Sequence, residues 1–450
     1  MKKNICFIGN CKKTYFFTEI AKQLADSCNV FWIVYNQHQY DQLVCEYDPS
    51  NVLLISKSIG FNDSNKIGEY KLNELIRTDR LLQLYPSFSY ELLKNIQIIY
   101  YNYIRDNNIS YVFGETTFAH EVLLMRIIKD KSELNCKYLH PQTIRIPAFH
   151  FTFLEDEFQS KIFFKQESDL SQNQIIKVSK PSEYYVVEKR VNKALNISGK
   201  FKRLLRFLTF KNMDVDDPYL TPFPFKRYLY KGVTEEINRL SYTLFVKRES
   251  KEVLTAKKFV VYTLHKQPEA SVDVVGRYYD DQYINIYNIW RILPDDISLV
   301  IKEHTNAIGD RGKRFFKKVK RLRNTVILHE TVNSHFLIEK CEAIFTVSGT
   351  IAYEAALLNK QAFMFVPIFF DKIQNIHPIN VEEFREITSF QDLMKNARQT
   401  NSSKLNIKDY SKYILTRSYN GLISDPLTDI RCMEEENIKQ VSSAFKHIIQ

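Results

Sequence analysis

Residues 345–365 read FTVSGTIAYEAALLNKQAFMF. An apolar run breaks at Ser348-Gly349-Thr350, passes into a helix of small residues, and is followed by a second apolar run ending at Phe365. Strand, turn, helix and strand in that order form the repeating unit of a parallel sheet. The turn then lies where the strand's carboxyl end meets the helix's amino end, which exposes unpaired N–H groups and suits a phosphate. Gly349 lets an anion approach the backbone closely, while Ser348 and Thr350 add hydroxyls. Glu354, one turn on, can accept hydrogen bonds from ribose hydroxyls. A plainer reading has Ser348 or Thr350 capping the helix and Glu354 complementing its dipole. The neighbouring strand ends favour the nucleotide reading.

From Lys258 onward the unit repeats. KFVVYTLH, SLVIKEH, NTVILHE, AIFTVSG and QAFMFV read as strands, alternating with DQYINIYNIWRIL, RFFKKVKRLRN, SHFLIEKC and TIAYEAALLN as helices. The pattern predicts a doubly wound α/β domain over 258–415. Ligands of such sheets sit beyond the carboxyl ends of the strands. There the sequence places His265 and Gln267, then Lys302 and His304, then the Ser348-Gly349-Thr350 turn with Glu354. These eight are the candidate donor-nucleotide residues, and His304 is also a candidate catalytic group, able to donate to a phosphate or a leaving group. Gln267 precedes Pro268 and is expected to be extended. His335 reads as helix surface.

The first third carries the same signature. NICFIG, NVFWIV, VLLIS and YVFGE are strands without polar alternation, as expected of strands covered on both faces. TYFFTEIAKQLAD, ELLKNIQIIYYNYIRDN and FAHEVLLMRIIKD are helices, so 1–164 is read as a second α/β domain. Glu115, at the end of YVFGE, is a candidate catalytic base, with capping of the next helix as its equal alternative. His120 and Glu121 are placed on that helix's outer surface. Arg145, in an HPQTIRIP turn, is the candidate for binding an acidic acceptor.

Between these domains, 165–257 is charged and helical in pattern. Its KFKRLLRFLTFK stretch fits either a membrane-surface helix or a linker helix with its lysines in water. The Asp214–Asp217 run resembles a metal-binding motif but lies away from any strand end, so no obligatory metal or other cofactor is expected. A helical tail, 416–450, closes the chain.

Composition narrows the partners. Among 450 residues, 63 Lys and Arg against 52 Asp and Glu leave a net charge of +11, which favours an anionic partner. The seven cysteines are scattered without zinc-like spacing and read as reduced thiols. The apolar run near the amino terminus is too short for a signal-peptide core, and no stretch approaches the ~20 apolar residues of a membrane span. A soluble or peripheral cytoplasmic protein is expected.

The blocks LHKQPEASVDVVG, IKEHTNAIGDRG and FTVSGTIAYEAALLNKQAFMF, in that order, resemble the capsule and surface-polysaccharide glycosyltransferases of GT-B type, the group that includes capsular Kdo transferases. The resemblance spans mainly 258–370, with VFGETT and IRIPAFHF fitting more loosely. It implies two Rossmann-like domains facing a cleft. A nucleotide-sugar donor is then held by the C-terminal half, and a glycan or glycolipid acceptor by the N-terminal half. It also implies a phosphate at the Ser-Gly-Thr turn and Glu354 near the ribose. Related enzymes use a His-Pro motif at the donor phosphate; here Thr305 follows His304, so only the histidine's role carries over. The implied activity is transfer from a CMP-Kdo-like or other donor to a growing capsular polysaccharide or lipopolysaccharide in bacteria, with peripheral contact at the inner membrane face and no nucleic acid. The alternatives are a non-hydrolysing nucleotide-sugar epimerase, a polyol-phosphate transferase, and a non-enzymatic basic binding protein.

Overall fold

The computed structural model describes residues 2–10, 13–56, 67–165, 176, 232–255 and 257–450. The KFKRLLRFLTFK stretch and the Asp214–Asp217 run lie outside these residues.

Strands β1 (Lys3–Gly9), β2 (Cys28–Val34), β3 (Val52–Leu54), β4 (Ile109–Phe113), β5 (Lys137–Thr143), β6 (His150–Leu154) and β7 (Ile162–Phe163) build the first sheet, joined from far along the chain by β14 (Tyr419–Asn420). Its order is β14-β6-β5-β4-β1-β2-β3, with β7 paired to β6. Pairing is parallel from β3 to β5 and antiparallel at β6, β7 and β14. β1 shows why this strand has no polar alternation. Ile5 and Phe7 enter one core and Cys6 and Ile8 the opposite one, so both faces are buried.

The second sheet contains β8 (Lys258–Thr263), β9 (Ile297–Lys302), β10 (Thr325–Leu328), β11 (Ala343–Thr346), β12 (Gln361–Met364) and β13 (Ile376–Pro378). Its order, β10-β9-β8-β11-β12-β13, is parallel throughout. The two sheets share one topology: the chain steps outward over three strands, then returns to the other side of the first. That reversal opens a crevice between β1 and β4 in one domain and between β8 and β11 in the other. The doubly wound, two-domain α/β reading is therefore what the strands form.

Three features differ from the sequence reading. His140 to Thr143, read as part of a turn, belong to β5, where the strand turns from parallel to antiparallel partners. His120 and Glu121, read as helix surface, are buried, because the Ala119–Asp130 helix starts inside the domain rather than on it. The tail is more than a closing helix. β14 pairs with β6, and Phe445 of the Glu435–Ile449 helix packs against Phe113 and Phe153, tilted to one and edge-on to the other, with ring centroids 4.6 and 5.0 Å apart. The tail thus rejoins the N-terminal domain.

The two domains are bound together by charge as well as apolar surface. Arg126 donates to Glu74 at 2.5 Å and to Glu157 at 2.8 Å, while Arg277 of the other domain reaches the same two carboxylates at 3.1 and 2.9 Å. Ala270 and Val274 insert into the N-terminal core beside them.

Candidate functional site

The C-terminal crevice is organised around Thr346, the last residue of β11 and fully buried. Its hydroxyl lies 2.8 Å from His265 Nε2 and accepts the Gly349 N–H at 3.2 Å. The two loops that flank the reversal of strand order, after β8 and after β11, are therefore fastened to one oxygen. A Cβ at Gly349 would sit 2.5 Å from that oxygen and 3.2 Å from His265 Cε1, so the approach admits only glycine. Burial, with Arg311 and His304 adding to it, lowers the pKa of His265 to about 3 and leaves the ring neutral. Among the described residues, the Thr350 and Ile351 amides find no hydrogen-bond acceptor.

Other predicted residues hold the loops in place. The Ser348 hydroxyl donates to the Ser271 carbonyl at 2.6 Å, so acting as a ligand donor would require releasing that bond. Gln267 donates from its side chain to Asp273 and the Asp280 carbonyl, and accepts from Gln282 at 2.6 Å. Its position is built by a network rather than left open. The Gln267–Pro268 bond is cis.

His304 follows β9 and keeps its ring edge open to solvent. Its Nδ1 accepts the Asn306 N–H at 3.2 Å, which leaves the ring proton on Nε2. Partial desolvation in the crevice lowers its pKa, Lys302, Lys266 and Arg145 push the same way, and Glu269 opposes them. A neutral imidazole with an outward Nε2–H is a hydrogen-bond donor. Lys302 is itself buried beside it. Behind it, buried Glu303 accepts two bonds from Arg311, at 2.9 and 3.0 Å, and Arg311 also reaches the His265 carbonyl.

Arg145 approaches from the N-terminal domain. It has φ 59° on a turn whose next residue, Ile146, accepts a hydrogen bond from the Tyr353 hydroxyl at 3.0 Å. Ile144, just before it, lies in the C-terminal core. The Arg145 charge is felt at Glu354, whose pKa burial raises while His335 and Arg145 pull it down. One cation from the first domain thus acts on both His304 and Glu354 in the second.

In the N-terminal crevice, Lys13 is ion-paired with Glu115. Burial raises the Glu115 pKa, but Lys13, His140 and Arg80 outweigh it and hold the carboxyl below its ordinary range. Glu121 is its opposite. Burial and the Glu115 charge raise its pKa, although it accepts N–H bonds from Glu115, Thr117 and Phe118 at 3.1 Å each. The crevice therefore holds one ionised and one protonation-prone carboxyl side by side. Thr346, Lys13 and His140 escaped the sequence reading. Thr346 lies inside the strand-like run AIFTVSG, yet two residues before the turn is where a hydroxyl can fold back on it.

No protein-family model and no curated protein matches the chain. The chain is similar to several solved structures. The KpsC β-Kdo 2,7 transferase of Thermosulfurimonas dismutans aligns over 99% of this chain and 100% of its own, at 10% identity and a TM-score of 0.38. The UDP-GlcNAc 2-epimerase of Neisseria meningitidis bound to UDP-GlcNAc aligns over 92% and 98%, at 12% identity and a TM-score of 0.25. HepE of Anabaena in complex with UDP-glucose aligns over 98% and 99%, at 13% identity and a TM-score of 0.28. Overlays this loose assign no role to any residue, and the two-sheet architecture stands on the chain's own strand order.

Proposed function

We propose that the protein is a glycosyltransferase that moves a sugar from a nucleotide-sugar donor to a growing bacterial surface glycan, with the donor's phosphate against the Gly349 turn. The observation that carries this reading is the convergence of Thr346, His265 and Gly349 at the reversal of strand order, with the turn that bears Arg145 docked on Tyr353 of the facing domain. Bond cleavage at the anomeric carbon leaves charge on the nucleotide. Fixed amides at Thr350 and Ile351, the His304 Nε2–H, Lys302 and Arg145 form a preorganised, cationic surround for that charge without a metal. Glu354 stands where a ribose can be met, and Arg145 belongs with the donor rather than with an acidic acceptor. Glu115, kept ionised by Lys13, is the base for an acceptor hydroxyl. Its lowered pKa makes it a modest base until Lys13 is displaced.

The acceptor is a glycan or glycolipid, with a capsular or lipopolysaccharide chain at the inner membrane face as the preferred class. Incubating the protein with CMP-, UDP-, GDP- and CDP-sugars, with and without a glycolipid acceptor, tests the reaction type. Nucleotide release that requires acceptor supports transfer. Conversion of the donor to its epimer without acceptor would replace this reading with the epimerase one.

A further inference from the structure

The Thr234–Phe245 helix is amphipathic in an unusual sense: its apolar residues face outward as well as inward. Tyr242 points in and packs at a tilt against Phe316, with centroids 4.9 Å apart. Val233, Ile237, Leu240 and Leu244, spaced four, three and four residues apart, share one stripe on the other side. These four and Phe245 have between 52% and 70% of their surface exposed. Isolated exposed aliphatics are ordinary, but a continuous stripe on one helix face marks a contact surface.

What the stripe fits is indicated by its surroundings. The Lys313–Lys320 helix, KRFFKKVK, packs beside it and directs Lys313, Arg314, Lys317 and Lys320 to solvent. Lys313 Nζ sits 5.3 Å above the ring of Phe245, and Lys247, just past the end of the stripe, is also exposed. An apolar ridge flanked by long cationic side chains matches the layered chemistry of an anionic bilayer, acyl chains below and phosphate headgroups above. The inner side of the same helix leans on the candidate donor loop: the Glu235 carbonyl lies 2.7 Å from where a Gly309 side chain would begin.

We propose that the exposed face of Thr234–Phe245, with the neighbouring Lys313–Lys320 helix, docks the protein on an anionic membrane surface. The proposal deepens the glycolipid-acceptor reading by naming the surface that meets the lipid. Docking brings the donor loop to the bilayer, where a lipid-linked acceptor is presented.

Flotation of the full-length protein with phosphatidylglycerol-containing vesicles, compared with pure phosphatidylcholine vesicles, tests it without any turnover. Failure of docking is therefore distinguishable from failure of the transferase reading. The wild type is expected to float with the anionic vesicles only, and to lose at least ~10-fold in partitioning when Leu240→Glu and Leu244→Glu are combined. Triple charge reversal at Lys313, Arg314 and Lys317 should weaken binding and its salt dependence, with the melting transition unchanged. Equal flotation of wild type and both variants, or no flotation of folded wild type, would overturn the proposal. So would a dimer in sedimentation velocity that the leucine variant splits, or a Leu240→Cys thiol that resists labelling in the native protein without vesicles.

Discussion

His265 Nε2 and the Thr346 hydroxyl lie 2.8 Å apart, and this one contact joins the loops on either side of the point where the second sheet reverses its strand order. Because Thr346 also accepts the Gly349 N–H, the turn's shape depends on a buried oxygen. Thr346→Val keeps the volume but removes that oxygen, stranding a buried N–H and an imidazole nitrogen. A loss of about 1–3 kcal/mol is expected in denaturant unfolding, together with weaker nucleotide binding. Unchanged stability and binding would show that the turn does not rely on this hydroxyl.

Arg145 separates donor from acceptor roles. It sits beside the Ile146–Tyr353 bond, and its charge lowers the pKa of both His304 and Glu354. If Arg145 serves the donor, Arg145→Ala is expected to raise KM for the nucleotide sugar by about tenfold while leaving acceptor KM nearly unchanged, since removing one cation from a phosphate site costs about 1.4 kcal/mol. Steady-state kinetics with each substrate varied in turn distinguishes the two. A shift confined to acceptor KM would return Arg145 to the acceptor side.

Lys13 sets the ionisation of Glu115. Burial alone would raise the carboxyl's pKa, and it is the Lys13 charge that keeps it down. In Lys13→Met the pKa of Glu115 must rise, so the acid limb of the pH–rate profile moves to higher pH. A profile unmoved by this substitution would remove Glu115 from the role of base.

Four histidines, His120, His140 and His377 buried and His265 half-buried, are held in neutral form: His120 and His265 at about 3, His140 and His377 at about 4, each lowered first by desolvation. Their unfolded-state pKa is about 6.5, so between those values the unfolded chain binds more protons than the folded one. Stability is then complete above about 6.5 and falls as the pH is lowered towards the folded-state values. Urea midpoints measured across that window should decline with acid, and a flat response would contradict the burial of these rings.

The domain contact makes a separate prediction. Arg277 is almost wholly buried between Glu74 and Glu157, and Arg277→Met leaves two carboxylates facing one remaining arginine. A loss of roughly 3–5 kcal/mol is expected, seen as separate unfolding of the two domains by calorimetry.

Much of this was legible because doubly buried strands announce themselves. KFVVYT and SLVIK are continuous apolar runs, and the polar residues that follow them fall at one sheet edge by necessity. Long-range docking was not legible. Nothing in MEEENIKQVSSAFKHIIQ says that Phe445 rests on Phe113 and Phe153 at the far end of the chain. His140 and Pro141 look like turn residues and yet form β5, because tertiary pairing with β6 outweighs local preference. The burial of Glu121 is hidden for a related reason. Its buried carboxylate is satisfied by three backbone amides of its own loop, and no pattern of side chains reveals backbone donors.

The proposed donor site stands or falls with a nucleotide phosphate resting on the Gly349 backbone. Equilibrium titration of CMP, UDP, GDP and CDP into wild type and Gly349→Ala tests it most directly, since a Cβ there has no room beside Thr346 and His265. One nucleotide is expected to bind the wild type, and the folded variant to bind it at least ~10-fold more weakly. Equal affinity in the two proteins, or no nucleotide bound by the wild type, would contradict it.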